Sequence, residues 1–330
     1  AGVIELSEGP SSSDDAGNVV LQVGGGSLNN QTTGVIQSLV GAGVGTIGSR
    51  AVQGDLVNDG TITIERSLAQ RGTNVRLDNN NLISISVSQS LLLDDVTLSN
   101  AANIELPATS SVSLTGGRFN PLTGQLVGDG VISLAGGAEL GDGTLNGRLI
   151  YNDAVFPVGT NFVNEGVIEI PYQLGNTTTR SVTRTFAGAF TNAAGAELRL
   201  LPGMNAPSYG NQRANLTVDF QNGLTNAGTI ELSEGASSSD DAGNVTLLVS
   251  GGILTNQATG VIRSLSGSGT GTIGSRTITG PIENDGQIQV VSQNLVLNSG
   301  IVTNDGNIVV DANRVLTMST GSRFNALSVP

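Results

Sequence analysis

Two pairs of adjacent aspartates are the clearest candidates for chemistry in this chain. Asp14-Asp15 and Asp240-Asp241 lie in serine-rich segments, each a few residues after a glutamate, Glu8 or Glu234. Carboxylates together with hydroxyl and carbonyl oxygens are the ligands that Ca²⁺ prefers. The glycine–aspartate nonapeptide of calcium-binding β-rolls and the EF-hand loop are both missing from the sequence. We therefore interpret the pairs as solvated turns, assign no metal ligand, and keep calcium binding there as an open alternative.

A second group of chemically capable residues lies in the middle of the chain. Clustered acids, in some cases with arginine, carry out polysaccharide cleavage in one groove of an enzyme, and sugar rings stack on aromatic side chains. No acid pair here recurs at a spacing that specifies catalytic geometry, so we assign no catalytic residue and interpret the aromatic residues as filling an irregular stretch of the interior. The charged residues are Asp153, Glu165, Glu169, Arg180 and Arg184, and the aromatic ones are Tyr151, Phe156, Phe162, Tyr172, Phe186, Phe190 and Tyr209.

Two glycine-rich stretches, 41–48 and 267–274, have the superficial look of phosphate-binding loops. A phosphate loop needs a following lysine and the start of a helix, and neither stretch has them. We interpret both as corners where the backbone packs tightly. The sequence therefore predicts no cofactor-binding residue and no cofactor.

The composition of the 330 residues excludes most catalytic machinery. There is no His, Cys or Trp, and all fourteen basic residues are arginine. The common nucleophile–base pairs, Cys/His metal centres and Schiff-base lysines are thus excluded. The net charge of −13 argues against a nucleic-acid partner, because nucleic-acid affinity rests on basic residues at phosphates. No apolar run approaches the length of about 18 residues that a membrane-spanning helix needs, so we expect no insertion into a membrane.

The chain contains a long internal duplication, which sets the expected architecture. Residues 1–62 align without a gap to residues 227–288, and 43 of the 62 aligned positions are identical. The similarity extends over 1–120 and 227–325, with a divergent middle region at about 146–222. After Ile62 the offset between the copies falls from 226 to 204 at Val87-Ser88-Gln89 and is 205 at Arg118-Phe119-Asn120, so the second copy has lost 22 residues and then resumes in register. A solenoid tolerates such a loss when one whole coil is removed, so we infer a coil of about 22 residues.

A short motif marks the individual coils. It consists of Asn, two residues with Gly favoured at the second, one variable residue and Ile; Asn and Gly tolerate the left-handed backbone of a sharp turn. Hydrophobic residues then alternate with period two, which predicts a strand with one face inward. We expect the asparagines to stack in a hydrogen-bonded ladder, and an antiparallel sandwich with Asn-Gly hairpins is the alternative. The motif occurs at 58–62, 164–168, 226–230, 284–288 and 304–308.

These repeats resemble the passenger repeats of filamentous-haemagglutinin-like adhesins and autotransporters. The runs that carry the resemblance are Leu224 to Ile230 and Val302 to Ile308. The resemblance implies a right-handed parallel β-helix secreted by Gram-negative bacteria. The amino-terminal secretion-domain pattern and the carboxy-terminal membrane barrel of such exoproteins are not seen in the sequence.

We therefore expect residues 1–330 to form a single all-β, right-handed parallel β-helix, a solenoid of roughly 12–14 coils and about 60 Å in length. The chain starts within a motif, and neither end has a capping helix or a polar terminal repeat. The expected function is that of a non-catalytic, extracellular structural or adhesive rod at a bacterial cell surface. It would be a segment of a large secreted protein or a filament-forming subunit.

The expected partners are copies of itself end to end, or adjoining coils of a longer chain, with cell-surface glycans as a further candidate. The alternative function is a polysaccharide-binding or polysaccharide-cleaving enzyme on the same fold. A groove with clustered carboxylates would favour the enzyme, and a smooth Asn/Ser/Thr surface would favour the rod.

Overall fold

Every regular element that the structure describes is a β-strand. The computed structural model describes residues 2–9, 17–42, 48–174, 181–204, 214–235, 243–268, 274–319 and 321–326. These residues form parallel strands in stacked sheets, in two compact units, Ala1–Ala154 and Val155–Pro330. The boundary between the units lies within the divergent middle region of the sequence.

Unit 1 is a stack of coils. In its first four coils a short strand is followed by a long strand, and further on the long strand is divided in two, as at Ser111–Thr115 and Arg118–Asn120. The short strands pair in the order β1-β3-β5-β7-β9-β12, and the long ones in the order β2-β4-β6-β8, continued by β10, β13 and β16. The strands are β1 (Val3–Glu8), β2 (Val19–Asn30), β3 (Val35–Gly41), β4 (Arg50–Asn58), β5 (Thr61–Ile64), β6 (Leu68–Asn79), β7 (Leu82–Ile85), β8 (Ser90–Asn100), β9 (Ile104–Glu105), β10 (Ser111–Thr115), β11 (Arg118–Asn120), β12 (Leu126–Val127), β13 (Val131–Ala135), β14 (Glu139–Leu140), β15 (Gly143–Leu145) and β16 (Arg148–Tyr151).

The long strands of unit 1 bend to cover two faces of each coil. Their pairing register shifts between Gln53 and Leu56 and again between Arg71 and Val75. Glycines in the left-handed region, such as Gly54 with φ of 116°, lie at these bends. The pattern is that of a β-bulge, which reorients a strand without ending it.

Unit 2 has three faces, and each full coil contributes one strand to each of three parallel sheets. The sheets run β17-β20-β23-β26-β29-β32-β35, β18-β21-β24-β27-β30-β33 and β19-β22-β25-β28-β31-β34. The strands are β17 (Asn161–Asn164), β18 (Val167–Leu174), β19 (Ser181–Phe186), β20 (Ala189–Asn192), β21 (Glu197–Met204), β22 (Ala214–Phe220), β23 (Leu224–Asn226), β24 (Thr229–Leu232), β25 (Gly243–Leu248), β26 (Leu254–Asn256), β27 (Val261–Ser264), β28 (Arg276–Thr279), β29 (Ile282–Asn284), β30 (Gln287–Val290), β31 (Leu295–Asn298), β32 (Ile301–Asn304), β33 (Asn307–Val310), β34 (Leu316–Met318) and β35 (Arg323–Ala326).

The predicted parallel β-helix is confirmed; the two coils between Ile62 and Ile104 are within one residue of the predicted length, whereas others are longer, with 32 residues from Val3 to Val35. In unit 1 Ile62 pairs with Ile83, and Ile83 pairs with Ile104, so two coils of equal length separate Ile62 from Ile104. In unit 2 the counterparts Ile288 and Ile308 pair directly. The second sequence copy therefore lacks one whole coil, and its flanking coils stack in register.

Most of the predicted inward positions form stacked aliphatic columns. Eight of the ten are at most 2 % exposed: Ile62, Ile64, Ile168, Ile170, Ile230, Leu232, Ile288 and Val290. The prediction was wrong for Ile308, which is only half-buried, and for Val310, which is 43 % exposed. Both lie on β33, the outermost strand of its sheet among the described residues. No further described coil covers them there.

The predicted asparagine ladders are present in both units. In unit 1 each side-chain amide donates to the side-chain oxygen of the next asparagine along Asn30, Asn58, Asn79 and Asn100, at 2.7–2.9 Å. In unit 2 the same pattern, at 2.5–2.8 Å, joins Asn164, Asn192, Asn226, Asn256, Asn284 and Asn304. The amide also reaches a backbone carbonyl of the following coil, as Asn58 does at Leu82 (3.0 Å). The ladders thus satisfy polar groups that would be costly to bury unpaired.

Proline ends the ladder of unit 1. The Nδ2 of Asn100 is buried and has no hydrogen-bond partner among the described residues. One coil further on, Asn120 pairs with Ser99, so the residue at the next ladder position is Pro121. Proline has no side-chain amide, and the chain of donors and acceptors therefore stops.

Truncating a central column residue should destabilise unit 2. We expect Ile230→Ala to lower the free energy of unfolding by about 2–5 kcal/mol, because it leaves a cavity between two stacked neighbours. Val310→Ala, at an exposed position of the same sheet, should change it by less than about 0.5 kcal/mol. Urea unfolding followed by circular dichroism measures both. Equal effects of the two substitutions would contradict the assigned columns.

Candidate functional site

A buried ion pair is repeated once in each copy of the duplicated sequence. Glu8 and Arg50 in unit 1 approach to 3.7 Å, as do Glu234 and Arg276 in unit 2. Both arginine side chains are fully buried, and the glutamate side chains are 8 % and 3 % exposed. We refer to each pair as a clamp.

Each clamp arginine points into the core from a position that aliphatic residues occupy in other coils. Arg276 pairs with Val245 on one side and with Leu295 on the other. Its guanidinium donates to the backbone carbonyls of five residues at 2.6–3.2 Å: Gly243, Leu265, Ser266, Gly274 and Ser275. Arg50 makes the equivalent set of bonds to Gly17, Leu39, Val40, Gly48 and Ser49.

The clamp glutamates lie at the end of β1, for Glu8, and just beyond the end of β24, for Glu234. Oε1 of Glu8 accepts the backbone N–H of Gly17 at 2.7 Å, and Oε1 of Glu234 accepts that of Gly243 at 2.7 Å. In the first clamp, these hydrogen bonds hold residues 8, 17 and 48–50 together. In the second clamp, the equivalent bonds hold residues 234, 243 and 274–276 together. Each clamp therefore links segments of neighbouring coils.

In the second clamp, burial shifts the pKa values of both partners, and their pairing offsets only part of each shift. Burial raises the pKa of the Glu234 carboxyl above its usual value, and the Gly243 N–H and the Arg276 guanidinium offset only part of that rise. Burial also lowers the pKa of Arg276 to about 10, against the opposing effect of Glu234. Arg276 remains protonated at neutral pH. Such a pair fixes one arrangement of the chain more than it adds net stability.

The alternative of calcium binding concerns residues that the structure describes only in part. Asp14-Asp15 and Asp240-Asp241 lie outside the described residues. Glu8 and Glu234, which precede them, lie in the clamps. Among the described residues no group of three or more Asp or Glu side chains is arranged to hold a metal ion.

The glycine-rich stretches pack tightly at corners, as predicted, at all four of their described ends. A Cβ at Gly41 would collide with the backbone of Glu8, and one at Gly267 with that of Glu234. Gly48 and Gly274 are equally close to the backbone of Gly17 and Gly243. Residues 43–47 and 269–273, inside the two stretches, lie outside the described residues. The corner glycines thus allow the clamp segments to approach one another.

The charged residues of the divergent middle that the structure describes lie on different elements, with Glu169 on β18 and Arg184 on β19. Asp153 and Glu165 are exposed, and Arg180 lies outside the described residues. Glu169 instead approaches Arg199, at 3.4 Å, a residue that the sequence analysis did not select. Arg199 also contacts Glu197 and approaches Glu231 of the next coil at 3.5 Å.

Glu169, Arg199, Glu231 and Arg263 are register partners on consecutive strands of unit 2. We call them the outer charge ladder. Carboxylates alternate with guanidiniums along it, so like charges do not stack directly on one another. Aligning the repeats at their motifs would have revealed this alternation.

The aromatic residues of the middle region are mainly core, as interpreted. Phe156, Phe162, Phe186 and Phe190 in unit 2 are at most 2 % exposed, and Tyr151 in unit 1 is fully buried. The rings of Phe162 and Phe190 stack at 5.6 Å, and Phe186 stacks on Phe220 at 4.8 Å. Tyr172 is partly buried against Ala214, and Tyr209 lies outside the described residues. These phenylalanines therefore do not present a platform for sugar stacking.

The outer surface of unit 2 carries columns of small polar residues. Thr183, Thr217, Thr246 and Thr277 are register partners on four consecutive strands. Beside them Asn215 donates to Ser181 at 3.0 Å, and Asn244 donates to Asn215 at 2.6 Å. These columns consist of the Asn, Ser and Thr residues that the sequence analysis associated with a rod.

A groove on unit 1 has a volume of about 240 Å³, below the usual range for small-molecule sites. Its lining includes Ser49, Arg66, Ser67, Arg71 and Leu92 and contains no carboxylate among the described residues. The groove therefore lacks the acid pair that glycoside cleavage requires.

Comparison with known proteins identifies no relative for this arrangement. No known protein family, curated protein or solved structure matches the chain. Within the described part of the chain, no helix is long and apolar enough to cross a membrane.

Proposed function

We propose that this chain is a non-catalytic structural or adhesive β-helical segment. It belongs to a large secreted protein of a bacterial cell surface, or serves as a filament-forming subunit there. The resemblance of its repeats to adhesin and autotransporter passenger repeats motivates the location. Its partners are further coils, of its own chain or of other copies, and cell-surface glycans are a second candidate.

The observation that carries this proposal is that the ionisable and amide side chains of the core and outer ladders contact neighbouring coils. The clamps, the asparagine ladders and the outer charge ladder all join one coil to another through Arg, Glu and Asn side chains. An enzyme holds such groups free to face a substrate. Here they serve the stacking of coils instead.

Selective surface labelling tests the location. Antibodies raised against the purified chain should label intact producing cells as strongly as permeabilised ones, and external protease should remove the signal. Labelling only after permeabilisation would contradict the proposal.

Incubation with polysaccharides tests the enzymatic alternative. We expect no release of reducing or unsaturated sugar ends by the purified chain. Cleavage that is lost in Glu169→Gln but retained in Glu165→Gln, an exposed control, would establish the alternative and overturn the proposal.

A further inference from the structure

Two arginines line the groove of about 240 Å³ on unit 1 and do not take part in the stacking of coils. Arg66 is half-buried and Arg71 is exposed. Neither guanidinium makes a hydrogen bond or an ion pair with any residue that the structure describes, and no described carboxylate lines the groove. We call them the groove arginines. In a chain with a net charge of −13, the groove is therefore a local concentration of positive charge.

The other polar groups that line the groove are already engaged. The Ser49 hydroxyl donates to Oδ1 of Asn18 at 2.9 Å. The Ser67 hydroxyl donates to Oε1 of Gln89 at 3.2 Å and accepts the backbone N–H of Ser90 at 3.0 Å. The clamp arginine of unit 1 also lines the groove, but its charge is matched by that of the clamp glutamate. The groove arginines are thus the side-chain donors that remain for a ligand.

The second copy of the duplicated sequence has no arginine at the position of Arg66. The Ser38 hydroxyl donates to the carbonyl of Arg66 at 2.6 Å, and its counterpart Ser264 donates to that of Gln293 at 2.8 Å. Gln293 therefore occupies the equivalent position. Its amide donates to the carbonyl of Gly274 at 2.6 Å, so the neutral side chain of unit 2 joins two coils.

Arg71 is also confined to the first copy. It lies opposite Gln53, whereas Asn298 lies opposite Thr279, the counterpart of Gln53. The clamp arginines are identical in the two copies, but the groove arginines are replaced by neutral amides in the second. The duplicated coils of unit 2 stack without them, so the groove arginines are not required by the fold.

The chemistry of the groove suits one oxyanion. A guanidinium presents parallel N–H donors that match two oxygens of a carboxylate or a sulfate. The groove is smaller than the sites of drug-sized ligands, so it takes a single charged group. Building on the glycan partner of the proposed function, we infer that the groove arginines bind a carboxylate of an acidic polysaccharide. A free inorganic anion has the same chemistry, and the test below separates the two sources.

Two exposed carboxylates flank the groove arginines without lining the groove. Glu65 precedes Arg66 in the sequence, and Asp94 is the register partner of Arg71 on the next coil. Neither carboxylate forms an ion pair with a described residue. The charge of Asp94 opposes the approach of an anion to Arg71, so its removal should increase the affinity of the groove for its ligand.

Isothermal titration calorimetry of the full chain tests the inference with three probes: a trimer of galacturonic acid, the neutral trimer of galactose, and sodium sulfate. The acidic trimer should bind at one site per chain, more weakly as salt is added, and the neutral trimer should not bind. Arg66→Gln and Arg71→Gln should each weaken binding about tenfold or more, and Asp94→Asn should strengthen it. Arg314→Gln, at an exposed arginine of unit 2, should leave it unchanged. Thermal melts of the variants should match that of the unaltered chain.

Three results would overturn the inference. They are no binding of the acidic trimer, binding of sulfate without the trimer, or binding of the trimer that both groove variants retain in full. None of them would bear on the surface labelling, so the failure of this site is distinguishable from the failure of the proposed function.

Discussion

Deletion of residues 80–100 should leave a folded protein with almost unchanged thermal stability. This segment is one whole coil, and its removal joins Asn79 to Ala101. Ile104 then takes the place of Ile83 over Ile62, and Val112 that of Leu91 over Leu68. Each repeat in a solenoid contacts only its neighbours, so the stack closes again. Circular dichroism with thermal melts and limited proteolysis measure the outcome.

Deletion of half that coil should have the opposite effect. Removing residues 90–100 takes out β8 alone, so the chain would pass from β7 to β9 without covering the long-strand face. The aliphatic columns and the ladder position of Asn100 would both be lost, and every following strand would be out of register. We expect unit 1 to lose its cooperative melt. Similar stability of the two deletions would mean that the coil is not the structural unit.

Removal of one clamp arginine should cause the largest loss among single substitutions. Arg276→Met leaves Glu234 buried without its counter-ion and five backbone carbonyls without their donor. Breaking a buried pair in this way lowers the free energy of unfolding by about 3–5 kcal/mol. Urea unfolding of the full chain measures the loss, and Arg50→Met should reproduce it in unit 1.

Two controls separate the clamp from general effects of losing an arginine. Arg76 forms a surface pair with Asp55 and has a side chain that is 57 % exposed, so Arg76→Ala should lower the free energy of unfolding by less than about 1 kcal/mol. The double variant Arg276→Met, Glu234→Leu should be more stable than Arg276→Met, because it no longer buries a lone carboxylate. If Arg276→Met and Arg76→Ala lower the free energy of unfolding by the same amount, the clamps are not structural.

The coil architecture was predictable because it depends on local patterns that repeat. The alternation after each Asn-Gly turn identified Ile62 and Ile230 as inward positions, and the missing coil in the second copy set the repeat length. The asparagine ladder follows from one residue type recurring at the same corner. Each of these features needs only the spacing between residues and the geometry of a strand.

The clamps were not predictable from the same patterns. Glu8 and Arg50 are far apart in sequence, with strands β2 and β3 between them, and both adjoin segments of loop-like composition. Their identity in the two copies was visible, but a recent duplication also preserves residues with no role. Only the fold places Arg276 in an aliphatic column, where its charge must be matched by Glu234 and by backbone carbonyls.

The middle region was correctly interpreted as core for its phenylalanines, but its charge pairing was missed. Glu169 was selected for its nearness in sequence to other charged residues, whereas its partner Arg199 lies one coil later. In a solenoid the relevant neighbour is one repeat away, and the repeat length varies from coil to coil, so no single spacing identifies the partner. The loss of burial at Ile308 and Val310 likewise depends on the absence of a neighbour from the described stack, which alternation along one strand does not show.

Distances between spin labels along one column of unit 2 test the parallel stacking of coils most directly. Thr191, Thr225, Thr255, Glu283 and Thr303 are consecutive register partners that face outward, and the cysteine-free chain allows each to be labelled in pairs with position 303. The account predicts that the label distance grows by one strand spacing, about 4.8 Å, for each coil between them. The distance between positions 303 and 191 is then about 19 Å, although more than a hundred residues of sequence separate them. Distances that alternate or that fail to increase along the series would contradict a parallel β-helix.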